Sequence, residues 1–545
     1  MASLSPKTTV LGKRLAAHLL RRATYHFSPE RIDAFAIKTA EEAVDELCDI
    51  LPSLQFPNGP INWNNGTPIF DEARAVTNFN NGINNFFQSL ALYQWRILEM
   101  YFDPSIRQKL TVWLDSIWVV GNPEMENPAA HFARWRLLQT FALGNIKAFA
   151  KKITVDNEML VFLNNNENTK ESPNENYARE FLELFTILRG AVQAVGDYTT
   201  YTEADVSTAA RLLTGFKDNF FSGNVVSTDA ETGLGTGTPN YSDHDTDDKM
   251  FSAAFNNQVI TGAVDEQDMY RELSDFVDMV FNQLATAQAY CRKLYLFFVS
   301  DIITQEIEED IIQPLAIELL NNDYELLPTI MRLLKSQHFY DEDDGNTNNE
   351  IIGGKIKSPY ELNITPAAIM NGLTIPLNNY RDLFEKTSLN YVSLFEKEEM
   401  PLGGPASVEG FFGYYKAPAF SRNWFNSNTF FNRYNTATYL LRGWWRNANE
   451  PIPFKVDPLD FVVNNISNPS DGTTLVTEFM QCFLPELPTE NRFDYFLNAL
   501  YGDLSPTNWF FAWQNFVNTG EDMEVRLGVE NFYLVVFNSP EFQLF

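Results

Sequence analysis

Apolar residues recur at three- and four-residue spacing through most of residues 85–215, with breaks at 121–128, 164–172 and 189–201. This is the period of an amphipathic helix that turns one face toward a core. Helical spacing returns over 265–338 and in the C-terminal third, without a repeat period that would indicate a solenoid. The pattern predicts a mainly α protein, a large multi-helix globular domain with long ordered loops.

One segment, residues 217–262, departs from helical spacing and is dominated by Gly, Thr, Ser and Asp. Short β-prone pieces occur in it at 224–228 and 258–261. We interpret the segment as an irregular excursion that carries a small β-hairpin.

The length of 545 residues exceeds the size at which a single hydrophobic core normally stops growing. We therefore expect one elaborated helical domain over residues 1–545, or two packed lobes, 1–216 and 263–545, joined by the excursion. Hydrophobic residues make up 45% of the chain and aromatic residues 14%, which is enough apolar area to exclude global disorder.

The formal net charge is −31, from 71 acidic and 40 basic residues. Such a chain repels phosphate backbones and anionic lipid, so nucleic-acid binding is excluded. A solubilising surface is the usual reason for this acidity, with binding of a cation or a basic partner as the alternative. The chain contains no run of about 20 apolar residues, so the sequence predicts no transmembrane segment. The first residues lack the pattern of a signal peptide, which predicts a cytoplasmic protein.

Several local patterns predict helix limits and buried groups. Thr39 and Glu42 form a capping box that opens a helix, and Thr365 is expected to cap another helix with Pro366 at its first position. Residues 52–85 read as a long ordered loop. The first helix should bury its leucines and expose its basic residues, Lys13, Arg14, Arg21 and Arg22. The later apolar helix over 291–299 should likewise expose Arg292 and Lys293. Three dispersed cysteines predict buried thiols rather than a disulfide framework: Cys48, Cys291 and Cys482.

Residues 171–186 carry the most informative local pattern. Ser172 as N-cap, Pro173 at the first position and Glu175 at the third predict a helix that begins directly after Ser172. One apolar stripe then faces the core, formed by Tyr177, Phe181, Leu184, Phe185 and Leu188.

Two carboxylates and an amide lie beside that stripe on the predicted helix, namely Glu180, Glu183 and Asn176. They admit a structural interpretation, in which Arg179 joins Glu175 and Glu183 in a surface ladder of ion pairs. They also admit a functional one, because a desolvated Glu180 would need a metal ion, an arginine or a polar ligand as partner.

A second group of candidates lies inside the excursion, where His244 and Asp245 belong to an acidic loop over 243–249. Histidine and carboxylates on a loop can ligate a metal or transfer protons. The alternative is an acidic turn that hydrogen-bonds its own backbone. Arg211, on a helix that ends near Gly215, could neutralise Glu180 or Glu183.

Ordered motifs across the chain resemble those of the large bacterial family known as domain of unknown function 1800. They lie at 14–24, 142–145, 173–186, 201–216, 244–245, 357–359 and 538–542. Details after His244-Asp245 are similar to the Bacteroidota branch. The family has no agreed activity. The resemblance implies that many members are exported. It also implies that their genes often lie beside those of a sulfatase-like family, domain of unknown function 1501, whose members tend to carry twin-arginine-type signals and which is our candidate for a partner.

Two stretches depart from the family's pattern. Many members show Trp-His-x-His-Phe where this chain has Trp113 to Trp118 without histidine, and a Gly-Trp pair where it has Gly410 to Tyr414. If the two histidines help to bind a metal, this chain has lost that capacity.

These observations support two hypotheses of function. The first is a non-catalytic binding or structural component that acts with a partner protein, exported or on the cell surface if a signal-bearing partner carries it. The second is a hydrolase-type enzyme on an extracellular polymer, with Glu180, Glu183, His244 and Asp245 as catalytic residues and His244 as base. No cofactor is identified, although a divalent cation would fit the acids.

Overall fold

The structure is a computed structural model. It describes residues 2–49, 59–62, 67–71, 76–77, 85–121, 127–219, 227–343, 345, 351–373, 392–443 and 454–545. Helices dominate these residues, and the sheets among them have two short strands each, so the predicted mainly α class is confirmed. Most of the predicted loop over 52–85 and part of the β-prone piece over 224–228 lie outside the described residues.

The first part of the chain forms the helices α1 Gly12–Ala23, α2 Pro29–Ala36, α3 Ala40–Cys48, α4 Asn85–Phe102, α5 Arg107–Ile117, α6 Pro128–Phe141, α7 Ile146–Thr154, α8 Asn157–Phe162, α9 Asn176–Glu180 and α10 Glu203–Leu212. The Thr39–Glu42 capping box opens α3 as predicted. A π-helical turn, Phe181–Phe185, continues α9.

The second part forms the helices α11 Glu266–Phe281, α12 Leu284–Phe298, α13 Gln305–Ile307, α14 Gln313–Asn321, α15 Leu326–Lys335, α16 Pro359–Ile369, α17 Phe412–Tyr415, α18 Phe430–Arg442, α19 Pro458–Asn465, α20 Gly472–Phe483, α21 Glu490–Tyr501, α22 Pro506–Thr519, α23 Met523–Phe537 and α24 Pro540–Gln543. A second π-helical turn, Glu308–Ile312, joins α13 to α14.

The strands form four antiparallel ladders, β1 Phe70–Asp71 with β2 Val76–Thr77, β3 Val192–Ala194 with β4 Asp197–Tyr198, β5 Phe216–Lys217 with β6 Thr238–Pro239, and β7 Lys249–Met250 with β8 Val259–Ile260. The last two belong to the excursion, which therefore has two short ladders where the sequence predicted one hairpin. Lys249 pairs with Ile260 in the second ladder.

The prediction for Thr365 and Pro366 is wrong. The helix begins earlier, where Ser358 is the N-cap, Pro359 holds the first position and the Glu361 carboxylate accepts from the Ser358 N–H. Pro366 lies inside this helix. The earlier start prevails because the capping box and Pro359 already provide the same start signals as Thr365-Pro366, with one more hydrogen bond.

Contacts cross between the two lobes that the sequence allows. In the N-terminal region α1 packs on α20, α3 on α15 and α4 on α16. Arg21 and Arg22, expected at the surface of α1, are instead buried. The Arg22 guanidinium donates to the carbonyls of Ile351 and Phe545, both at 2.8 Å. These contacts support the single-domain interpretation, which stays a prediction.

The three cysteines are free and buried, as predicted. Burial raises the pKa of the Cys48 thiol to about 12 and that of Cys482 to about 12. Such thiols remain protonated and act as small apolar side chains. Over the described residues, no helix is long and apolar enough to cross a membrane.

Candidate functional site

The helix predicted to begin at Pro173, directly after Ser172, begins three residues later, at Asn176. The buried Asn168 holds the intervening loop, because its side-chain oxygen accepts from the Asn174 N–H at 2.8 Å. Asn174 in turn accepts from the Asn176 N–H at 3.0 Å, which leaves the helix start to an asparagine turn. The predicted cap at Ser172 is therefore wrong.

The π-helical turn changes which side chains face the core. Tyr177, Phe181 and Phe185 are buried as predicted, but Leu182 joins them and Leu184 is only half-buried. A π turn contains more residues than an α turn, so it rotates the following side chains around the axis. Leu188, the last member of the predicted stripe, is half-buried with φ at 62°.

Donors from α12 satisfy carbonyls that this turn leaves open. The Tyr290 hydroxyl donates to the Phe185 carbonyl at 3.0 Å, and it accepts from the Trp118 indole at 3.2 Å. The Lys293 ammonium donates to the Leu184 carbonyl at 2.5 Å. Lys293, which was predicted to lie on the exposed side, is instead half-buried. Its ammonium supplies one of the donors that the last carbonyls of a helix need.

The first candidate group lies on α9 and the π turn. Glu180 is half-buried, and among the described residues it makes no hydrogen bond or ion pair. Burial, followed by repulsion from Glu183, raises the pKa of Glu180. Glu183 instead pairs with Arg189 at 2.5 Å and accepts from the Tyr201 hydroxyl at 3.3 Å.

The neighbours of Glu180 are engaged elsewhere. Arg179 pairs with Glu175 at 3.0 Å and with Glu203 at 2.8 Å, so the predicted Glu175–Arg179 contact is confirmed. The π turn replaces the expected continuation of this ladder to Glu183. Asn176 is exposed.

The second candidate group belongs to a closed network of buried charges. His244 is fully buried, with Nδ1 at 2.8 Å from the Thr214 carbonyl and Nε2 at 2.8 Å from the Glu272 carboxylate. The same carboxylate pairs with the buried Lys249 at 2.6 Å. Both ring nitrogens of His244 are therefore occupied.

Asp245 joins the same network through Lys249, whose ammonium lies 3.7 Å from the Asp245 carboxylate. On its other side Asp245 accepts two hydrogen bonds from the Arg211 guanidinium, at 2.7 and 3.1 Å. Burial alone would raise the pKa of Asp245, but the hydrogen bonds from Arg211 and the Asp247 N–H, together with the charges of Lys249 and Arg211, outweigh burial and lower the pKa. The pairing of Arg211 with Glu180 or Glu183 that the sequence allowed does not occur. The four catalytic candidates thus form two groups that share no contact.

Sequence reasoning missed Glu272 and Lys249. A signal for Glu272 was present, because it stands on the face of α11 that also carries Met269, Leu273 and Phe276, all buried. A carboxylate on an apolar helix face needs a buried partner. Lys249 gave no comparable signal, since it lies in an irregular segment.

Replacing Glu272 with glutamine is expected to lower the free energy of unfolding by about 2–3 kcal/mol, because Lys249 would lose its nearer, fully buried counter-charge and keep only Asp245 at 3.7 Å. Urea denaturation measures this difference. Glu266→Gln on the exposed first turn of the same helix is the control and should change stability by less than about 0.5 kcal/mol. Equal stabilities of the two variants would contradict a structural role of the network.

A cavity of about 300 Å³ opens beside the π turn. Its walls come from α5, the π turn, α12 and residues 409–420, with Trp113, Leu184, Lys293 and Tyr414 among the lining side chains. The volume lies at the lower end of the range for small-molecule sites, and the walls have the aromatic character usual there.

Fold and site define a mainly α protein that has an aromatic cavity beside a π turn and, separately, a buried ion network. Residues 18–544 match the family model described as "Protein of unknown function (DUF1800)", so the chain belongs to this family. Comparisons with curated proteins and with solved structures found no match. In the part of the chain that the structure describes, no group of three or more His, Cys, Asp or Glu side chains is arranged to hold a metal ion.

Three stretches noted for their likeness to the family, or for departing from it, meet at the cavity. The motif over 173–186 supplies Leu184, the stretch from Trp113 supplies Trp113 and Ser116, and the stretch over 410–414 supplies Tyr414. Ser116 belongs to the stretch from Trp113 to Trp118, which contains no histidine. The cavity is thus the place where sequence motifs and geometry coincide.

Proposed function

We propose that this protein is a non-catalytic binding component that acts with a partner protein. The observation that supports the proposal is a set of exposed apolar side chains on the two helices α22 and α23, called here the exposed apolar surface: Phe510, Phe511, Val517, Met523 and Leu527. Phe511 is 63% exposed, Met523 77% and Leu527 71%. Large apolar side chains clustered at the surface mark interaction sites.

The charge around this surface suggests the kind of partner. Residues 490–530 contain seven acidic and two basic residues. Both basic residues are already paired, Arg492 with Glu541 and Arg526 with Asp457 and Asp522. An apolar surface with an acidic surround favours a partner segment of apolar and basic side chains, an amphipathic helix being the simplest case.

The test compares the native chain with the double variant Phe511→Ser/Leu527→Ser, each used to capture proteins from its own host. A stoichiometric partner should bind the native chain directly after purification, with affinity that falls as salt rises. The double variant should bind it at least about tenfold more weakly, because truncation of central apolar anchors costs about 1–2 kcal/mol or more.

The control variant Ile37→Ser/Val264→Ser removes equally exposed apolar side chains from other helices and loops. It should bind like the native chain. Equal binding by the double variant, or the lack of any stoichiometric partner, would contradict the proposal.

The resemblance suggests the sulfatase-like neighbour family as this partner, and export together with it. Copurification of the two chains, followed by their fractionation between cytosol and cell envelope, tests that part. Recovery of this chain alone from the cytosol would contradict joint export.

A hydrolase-type enzyme remains the second candidate because of Glu180. Its carboxyl group is half-buried, lacks a polar partner among the described residues and has a raised pKa, which are properties of a general acid. This candidate is weaker, since His244 uses both ring nitrogens on Thr214 and Glu272 and has none left for a substrate. Any hydrolysis would have to be lost in Glu180→Gln and kept in Asn176→Ala.

A further inference from the structure

We infer that the cavity beside the π turn binds a small organic anion with an apolar body, whose anionic group pairs with the Lys293 ammonium. This inference goes beyond partner binding, because the cavity is walled by α5, α12 and the π turn, whereas the exposed apolar surface lies on α22 and α23.

The walls of the cavity select the body of the ligand. Trp113, Leu184, Phe297 and Tyr414 offer aromatic and aliphatic surface to whatever enters. Burying a ring against such surface stabilises a complex by about 25 cal/mol for each Å² removed from water. A flat aromatic or short aliphatic body fits the volume of about 300 Å³.

The positive charge of Lys293 favours a ligand that carries a negative charge. Its ammonium donates one proton to the Leu184 carbonyl at 2.5 Å, and within the described ranges no carboxylate lies at ion-pair distance from it. A lysine ammonium has three protons to donate, so two remain for a ligand. Lys293 is half-buried, and a charge that is partly removed from water without a counter-charge is costly, so a ligand anion would supply the missing partner.

The surroundings of Lys293 lower the proton affinity of its amine. Loss of hydration lowers the pKa of Lys293 to about 7, with no neighbouring carboxylate to raise it. A bound anion would raise this pKa again, because an opposite charge favours the protonated form.

The other charged side chains of the cavity wall already form an ion pair or a hydrogen bond within the protein. Arg292 is held by the Glu308 carboxylate, with one bond at 2.9 Å. Glu409 is exposed on the rim and accepts from the Tyr415 hydroxyl at 2.8 Å. Among the described residues that line the cavity, Lys293 is therefore the cation that lacks a carboxylate.

The experiment uses 2-naphthylacetate and its neutral analogue of the same shape, 2-naphthylacetamide, in isothermal titrations of the full chain near pH 6. The native protein should bind the acid at least about tenfold more tightly than the amide, as expected for a hydrogen bond between charged groups. Lys293→Met should remove this preference and leave the amide affinity unchanged within about threefold.

Two further variants make the result decisive. Lys151→Met removes a charge paired with Asp278 on another face and should keep the native preference. Ser116→Phe fills the cavity while Lys293 remains, and it should abolish binding of both probes. Equal affinity for acid and amide in the native protein, unchanged preference in Lys293→Met, or full binding by Ser116→Phe would each overturn the inference.

Discussion

Replacing Glu361 with alanine is expected to lower the free energy of unfolding by about 4–6 kcal/mol. The Glu361 carboxylate pairs with the Lys109 ammonium at 2.6 Å, with side-chain exposures of 8% and 0%. It also accepts from the Ser358 N–H at 2.7 Å and so caps α16. The alanine variant leaves a buried ammonium without a counter-charge and removes a helix cap.

The direction of the pH effect follows from the same pair. Burial alone would raise the pKa of Glu361, but the charge and hydrogen bond of Lys109, together with the hydrogen bonds from Ser358, outweigh burial and lower the pKa below its usual value. A carboxyl group with a lowered pKa stabilises the fold above its unfolded pKa, and this contribution is lost as the pH falls through the folded value. The difference between native chain and variant should therefore shrink in acid.

Urea denaturation at neutral pH measures the loss. Glu486→Ala, which breaks the exposed pair with Arg14, is the control and should cost less than about 1 kcal/mol. The double variant Lys109→Met/Glu361→Leu should recover much of the stability, since an apolar pair can replace a buried ion pair. A loss below about 1 kcal/mol in Glu361→Ala would show that the pair is not buried as described.

A second large effect is expected from Glu99→Gln, and it should grow with pH. Glu99 is buried on α4, where it accepts from the Gln139 amide at 2.6 Å and from the Trp135 indole at 3.4 Å. Burial raises the pKa of Glu99 to about 8, in spite of the nearby Arg136 and these hydrogen bonds. The folded protein thus keeps a neutral carboxylic acid at a position where glutamine has the same shape.

The sign follows from proton binding. Between its unfolded and folded pKa values Glu99 binds more protons in the folded state, so the stability of the native chain falls as pH rises in that window. Each pH unit costs about 1.4 kcal/mol. Glu99→Gln should equal the native chain near pH 5 and exceed it by about 3–4 kcal/mol near pH 8.

Denaturation of both chains across this pH range tests the prediction. Glu398→Gln is the matched comparison, because burial raises the pKa of Glu398 only to about 7, and its advantage should be correspondingly smaller. A constant difference between Glu99→Gln and the native chain over the whole range would contradict a neutral Glu99.

The helical class and many limits could be predicted because they depend on local spacing and capping. The capping box of Thr39 and Glu42 sets the start of α3 through residues only three positions apart. The helix breaks near 164–172 and 189–201 likewise depend on the residues in those segments. The start at Ser172 could not be predicted, since the buried Asn168 in the preceding loop sets it through Asn174. At Ser358 the capping box with Glu361 is a local signal that favours the earlier start over Thr365, and the sequence prediction overlooked it.

The candidate site was predictable in its residue types but not in its pairings. Glu180 was correctly placed at the margin of the interior, because an apolar stripe lies beside it. Whether a π turn interrupts that stripe depends on donors from α12, more than 100 positions along the chain. The pairing of His244 with Glu272 likewise depends on a contact between residues 28 positions apart, which a local pattern does not predict.

The two bonds that Arg22 forms with Ile351 and Phe545 have a consequence for biosynthesis. The acceptor at Phe545 lies 523 positions after its donor, so ribosomes need about half a minute to two minutes to produce it. During this time the first helix exists without the acceptors that permit burial of its guanidinium group. We expect the emerging N-terminal region to remain loosely packed and open to chaperones until Phe545 has been synthesised.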